Sequence, residues 1–246
     1  RRRRRRQRRR RPPPRQNPDI RFEQAKKLYR SAVTVDGLTF RYPGADRDIF
    51  TKLKFTIEAE QRVAIIGPNG IGKTTLMRCL AGDLTPTAGT ITWVENAQVG
   101  HMPQDPSAEF EQKTDLLTWM STWTGKADDE QIVRATLGRL LFSGDETKKQ
   151  VKVLSGGEKG RMMYGKLILT KPNVMLMDEP TNHMDMETIE SLQIGLEKYA
   201  GTLIFVSHDR EFVAGLATRM IELRPDGTVT DFTGSYDEYL DMQGLE

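Results

Sequence analysis

The chain has 246 residues, 37% of them hydrophobic, which is enough for one domain of ordinary size with a real core and a short extension. Its net charge of +3 is unevenly divided: residues 1–15 hold eleven arginines and no acid, which leaves −8 on residues 16–246. The single cysteine, Cys79, excludes an internal disulfide and fits a reducing compartment, and no apolar run reaches the length of a membrane span or follows the basic start as in a secretory signal.

Residues 1–15, an arginine block closed by Pro12-Pro13-Pro14, read as a self-repelling, disordered tail stiffened into polyproline II. Two roles stay open for it: an arm along a nucleic-acid backbone, one phosphate per arginine, or a solvated low-complexity tail. The first residue is not Met, which points to a partial or processed chain. Within residues 16–31, IRFEQAKKLYRS predicts a short helix with Phe22, Ala25, Leu28 and Tyr29 on one face. Strands follow over 32–42, 49–59 and 62–67. The second keeps partial period-two alternation, and the third is continuously apolar at Val63–Ile66, as in a strand covered on both faces. A Gly-rich turn and helix occupy 67–82, and strands occupy 90–104.

Residues 115–170 are helical in pattern, with Val133, Leu137, Leu140 and Leu141 on one stripe of 128–142 and acids at its start, where the helix dipole favours them. Beyond come a buried strand at 174–177, a helix near 186–199, a strand at 202–207, a helix near 210–217 and a final strand at 219–224. Strands alternating with helices define an α/β fold with a parallel-sheet core. The run without strands is a helical subdomain inserted at about 105–170, and the opening strands form an antiparallel β subdomain.

Residues Gly67, Pro68, Asn69, Gly70, Ile71, Gly72, Lys73 and Thr74 match G-x-x-x-x-G-K-[ST] between a strand and a helix, the context a phosphate-binding P-loop requires. Glycines let backbone N–H groups wrap phosphates, Lys73 reaches the β- and γ-phosphates, Thr74 holds Mg²⁺, and Thr75 adds a phosphate contact. Asp178, at the tip of a buried strand, is the second Mg²⁺ holder, and Glu179 is placed to polarise a water for attack on the γ-phosphate. Ser155-Gly156-Gly157-Glu158 is both a capping box and a helix end whose glycines leave N–H groups uncovered. This chain's own P-loop already serves its own nucleotide, so the phosphate expected at that end belongs to a second domain's ATP. His208, at a parallel strand end, suits a γ-phosphate donor, and Gln104 suits coupling of Mg²⁺ or water to the helical insert. Tyr42 is placed to stack on adenine, with Phe40 and Phe50 competing for that role and core packing open for all three. His101 and His183 make no metal cluster with His208.

Taken in order, Tyr42, GPNGIGKTT, Gln104, LSGGEKGR, VMLMDEPTNHMD and SHD resemble an ATP-binding cassette domain of the P-loop NTPase type over residues 32–235. LSGGEKGR and DEPTNHMD resemble the ABC-F family in the form of its YbiT-like branch, where the D-loop reads Asn-His-Leu-Asp against Asn182-His183-Met184-Asp185 here. That resemblance implies a cytoplasmic ATPase with ATP and Mg²⁺ as cofactors, two cassettes in one chain, no membrane span, and a linker that enters the ribosome near tRNA. It makes residues 16–31 the end of that linker, this chain the C-terminal half, and residues 236–246 a tail. The arginine block departs from the family pattern. Two cassettes would close head-to-tail over two ATP–Mg²⁺. Residues 67–75, Gln104, Asp178, Glu179 and His208 would form half of one site, and Ser155–Glu158 with Asp185 would complete the other. The partner is the absent N-terminal cassette or a second copy, with ribosome, rRNA and tRNA as targets. Hydrolysis is expected to be slow without a partner cassette, and ATP binding to hold the protein on its target. The alternatives are the ATP-binding subunit of a membrane transporter and an inactive half-protein.

Overall fold

The computed structural model describes residues 17–125 and 130–244, so the arginine block and Asp128 and Asp129 lie outside the described residues. Two sheets form the frame. A three-stranded antiparallel sheet is ordered β2-β1-β4, from β1 (Ser31–Phe40), β2 (Phe50–Glu58) and β4 (Ala88–Trp93). A six-stranded sheet is ordered β5-β6-β7-β3-β8-β9, from β3 (Arg62–Ile66), β5 (Val99–Met102), β6 (Val174–Asp178), β7 (Thr202–Val206), β8 (Arg219–Leu223) and β9 (Val229–Thr233). Its first five strands are parallel and β9 runs antiparallel to β8. Every residue of β6 and β7 is buried, which is what their unbroken apolar runs require once helices cover both faces.

Helix α1 (Lys73–Ala81) shares one core with the antiparallel sheet, built around Phe50, Leu76 and Ile204. The other face of the large sheet packs on α4 (Gly156–Thr170), α5 (Met186–Glu197) and α6 (Arg210–Leu216). The same core runs into the helical region, where α2 (Leu116–Ser121) and α3 (Glu130–Arg139) gather Trp119, Leu137 and Tyr164. Val133, Leu137 and Leu140 are buried as their spacing predicts. Leu141 is not part of that stripe in space, because the chain has left the helix and turns there with φ 68.

Two expectations fail. Residues 17–30, all described, hold no helix. Pro18, Ile20 and Phe22 are buried at every second position, a period-two pattern, while Ala25 is exposed and Tyr29 is 74% exposed. The segment is an extended strap whose backbone bonds to three separate elements: Asp19 N to Arg139 O at 2.9 Å, Ala25 N to Lys171 O at 2.9 Å, and Ala59 N to Arg30 O at 2.6 Å. Nor is β8 the final strand. β9 extends the sheet, and residues expected as a tail form α7 (Tyr236–Gln243), which has a Ser235/Glu238 capping box and buries Tyr239.

Candidate functional site

Three parallel strands end side by side. β3 runs into the loop before α1, β6 ends at Asp178 with Glu179 beyond it, and β7 is followed by Ser207 and His208. The register pairs Ala64 with Phe205 and Asp178 with Val206, so these three termini share one sheet edge, where open α/β sheets bind ligands.

The loop is bent in a way that excludes most side chains. Gly72 has φ 115, and a Cβ there would overlap Ile49 Cγ2. Gly72 is also the N-cap of α1 and offers no side-chain cap, so the first N–H groups of that helix are left for a ligand. Lys73, only 8% exposed, folds back so that Nζ donates to the carbonyls of Gly67 at 2.8 Å and Pro68 at 3.0 Å. Burial lowers its pKa, with Glu179 and Asp178 opposing. Thr74 Oγ1 donates to Gln104 Oε1 at 3.4 Å, and the Thr75 and Tyr42 hydroxyls lie 3.0 Å apart. Of the three competing aromatics, Phe40 and Phe50 are core residues. Tyr42 is 36% exposed and rests edge-on against Phe40 with ring centres 4.8 Å apart.

Asp178 is buried, and burial raises its carboxyl pKa. Thr74 opposes this and Glu179 adds to it. Its Oδ1 has no hydrogen-bond partner among the described residues. Thr74, Gln104 and Asp178 thus present a hydroxyl, an amide oxygen and an unmet carboxylate oxygen, a hard donor set that fits Mg²⁺. Glu179 leaves the strand with φ 51, a left-handed conformation costing about 1 kcal/mol for a non-glycine residue. Its N–H donates to Val206 O at 2.9 Å, and its Oε2 accepts from His208 N at 3.2 Å. Oε1 lies 3.1 Å from His208 Nε2 but without hydrogen-bonding angles.

Asn69, Gly70, Gly72, Lys73, Thr74, Thr75, Gln104, Glu179 and His208 line one cleft of about 350 Å³. Gly67 and Pro68 lie off its wall and receive Lys73, while Ile71 packs on the core with the antiparallel sheet. A groove of about 800 Å³ adjoins the cleft at Thr74 and Gln104; Asp178 lines this groove and not the cleft, and neither Lys73, Glu179 nor His208 lines the groove.

A second cleft, of about 620 Å³, shares no lining residue with the first. Ser155, Gly156 and Gly157 form one wall, and Arg161, His183, Met184 and Asp185 complete it. Ser155 and Glu158 close a capping box: Ser155 Oγ accepts from Glu158 N at 3.3 Å, and Glu158 Oε2 accepts from Ser155 N at 2.8 Å. Burial pushes the Glu158 carboxyl up, but Ser155 and Lys149 outweigh it and the net pKa is lowered. A Cβ on Gly157 would sit 2.9 Å from the carbonyl oxygen of His183. Asp185 caps α5, accepting from Thr188 N at 2.8 Å, and its bond with Thr188 holds its pKa low. Arg161, His183 and Met184 were not expected in this site. Arg161 stands four residues after Gly157, one helical turn along the same face, which is the signal that finds it.

A P-loop between strand and helix, an acidic strand tip beside it and a capped Ser-Gly-Gly helix end define an ATP-binding cassette. The model of the family described as "ABC transporter" matches residues 50–182. The chain is 55% identical over 232 residues to "Probable ATP-binding protein YbiT" of Escherichia coli O157:H7, covering 94% of this chain and 43% of that protein. It is 37% identical over 230 residues to "ABC transporter F family member 2" of Arabidopsis thaliana, covering 92% and 33%. It is also 37% identical over 199 residues to "Energy-dependent translational throttle protein EttA" of Escherichia coli O6:H1, covering 79% and 35%. The chain belongs to the ABC transporter family and is an ATP-binding cassette of the ABC-F type. Cassettes of this family are ATPases that bind ATP with Mg²⁺. The chain spans less than half the length of these relatives. No helix among the described residues is long and apolar enough to cross a membrane.

Proposed function

We propose that this chain is the C-terminal ATP-hydrolysing cassette of a two-cassette, cytoplasmic ABC-F protein that acts on the ribosome, with residues 16–31 as the end of the linker between cassettes. The observation that carries the reading is the pair of separate clefts. One holds P-loop residues, Glu179 and His208 without any of Ser155–Glu158, and the other holds Ser155–Gly157 and Asp185 without a P-loop. Each is half of a site that a second cassette, packed head-to-tail, would complete. The ribosomal target rests on likeness to a protein named as a translational throttle.

In the first cleft Lys73 releases the Gly67 and Pro68 carbonyls and turns to the β- and γ-phosphates. The uncapped N–H groups of α1 would receive the phosphate oxygens, and Tyr42 would stack on the adenine. Thr74, Asp178 and Gln104 would hold Mg²⁺, which when bound neutralises phosphate charge. Glu179, fixed through Oε2 by His208 N, keeps Oε1 for the proton of the attacking water, and the His208 imidazole turns from that oxygen to the γ-phosphate. In the second cleft the Gly156 and Gly157 N–H groups meet the partner's γ-phosphate while Asp185 borders it.

Glu179→Gln is expected to retain ATP binding, lower turnover by about 10²–10⁴-fold, and pellet with ribosomes in ATP but not in ADP. Unchanged turnover would remove Glu179 as base. Absence of ribosome pelleting by the trapped complete protein would remove the translational target.

A further inference from the structure

Strand β6 lies between two prolines, and a buried phenol grips each of them. Before the strand, Tyr199 Oη donates to Pro172 O at 2.7 Å; after it, Tyr164 Oη donates to Pro180 O at 2.6 Å. Both tyrosines are almost fully buried, and burial raises both phenol pKa values, so both remain donors at any physiological pH. The two bonds match in chemistry and differ in place. Pro172 stands at the end of the strand away from the P-loop, whereas Pro180 directly follows Glu179.

That location matters because Glu179 occupies an unfavourable backbone conformation, φ 51, which its surroundings must impose. Its N–H is tied to Val206 O, and its own carbonyl accepts from Asn182 N at 3.1 Å. The next carbonyl along the chain is the one Tyr164 holds. Tyr164 stands in the middle of α4, and the first turn of α4 lines the second cleft. One rigid helix therefore presents Gly156 and Gly157 to one site and grips the turn that aims a carboxylate in the other.

We propose that Tyr164 is a positioning residue for Glu179, linking the Ser155–Gly157 helix end to the carboxylate of this chain's own hydrolytic cleft. The inference rests on the reading of Glu179 as general base. Removing the phenol leaves the Pro180 carbonyl buried without its donor, and the turn is then free to relax toward ordinary φ values. The P-loop contacts to ATP lie on other elements and are unaffected, so the loss falls on kcat rather than on KM.

The test compares steady-state ATP hydrolysis and thermal unfolding of the complete protein carrying Glu179→Gln, Tyr164→Phe or Tyr199→Phe. Tyr164→Phe is expected to lower kcat about tenfold with KM for ATP within about twofold. Tyr199→Phe, which loses an equivalent bond at the distant proline, is expected to lower Tm by the same few degrees and leave kcat within about twofold. Equal kcat in the two tyrosine variants, or a Tyr164→Phe loss confined to KM, overturns the positioning role while the Glu179 reading stands. Normal turnover by Glu179→Gln instead removes the carboxylate that Tyr164 is held to aim, and both readings fall.

Discussion

Two helices in this chain begin with glycine beside serine or lysine, and they solve the problem of an open helix end in opposite ways. Helix α1 starts at a glycine in a conformation that few side chains tolerate, has no side-chain cap, and keeps a buried lysine folded over its own loop. Helix α4 starts at Ser155 with both halves of a capping box closed and a carboxylate whose pKa its own partners hold down. The α1 end is thus left unsatisfied by protein, which suits a site that takes in a whole nucleotide. The α4 end is stable by itself and offers only the N–H groups of Gly156 and Gly157, which suits a surface that touches a phosphate held by another domain.

The largest effect that separates the two ends is on nucleotide affinity. Lys73→Met removes the ammonium that stands ready within the loop, and ATP affinity in calorimetric titration is expected to fall about a hundredfold, near 2.7 kcal/mol. Ser155→Ala is expected to leave that affinity within about twofold, because Ser155 borders only the second cleft. Comparable losses in both variants would mean that the two helix ends serve one nucleotide inside a single chain, and the division into half-sites would be wrong.

Stability separates them next. Gly72→Ala forces a side chain into φ 115 and against Ile49, and is expected to destabilise the fold by about 2–3 kcal/mol in urea unfolding. Ser155→Ala loses one cap while the Glu158 carboxylate still reaches the Ser155 N–H, and is expected to cost about 1 kcal/mol. An order reversed from this would show that α4 depends on its cap more than α1 depends on its loop.

What the sequence disclosed follows the same division between local and distant causes. The P-loop, the Asp178–Glu179 strand end and the Ser155 capping box are contiguous runs whose chemistry sits in neighbouring residues: the loop lies between β3 and α1, Asp178 ends β6 and Ser155 caps α4. The strap at 17–30 misleads because Phe22 and Leu28 satisfy a helical face as well as an extended one. Only the docking of Ile20 on Gly195 and of Phe22 on Tyr199 decides in favour of extension. Helix α7 reads as a tail in the sequence because its short apolar content beyond Tyr239 gives little periodicity, although Ser235-x-x-Glu238 is the same capping signature as Ser155-x-x-Glu158. His183 reaches the second cleft by tertiary packing against Gly156 and Gly157, which no local pattern encodes, whereas Arg161 follows Gly157 by one turn of the same helix.

The smallest expected effect has the opposite sign and tests why the α1 end needs its ligand. Asp178 lies buried beside that end with Oδ1 unmet, and burial raises its pKa, so ionising it costs more in the folded protein without nucleotide than in the unfolded chain. A carboxyl raised above its unfolded value contributes stability that is complete below the unfolded pKa and is lost as pH rises through the folded one. Asp178→Asn keeps the shape and cannot ionise. It is therefore expected to match the parent chain in acid and to exceed it by about 1 kcal/mol at neutral pH, in urea unfolding without nucleotide or Mg²⁺. Mg²⁺ with ATP should stabilise the parent chain more than the variant, because the charge that costs stability in the empty site is the one the cation meets. A variant less stable than the parent at neutral pH would show that the Asp178 carboxylate is already satisfied by protein. The two helix ends would then differ in shape alone, and not in what they leave for a ligand to complete.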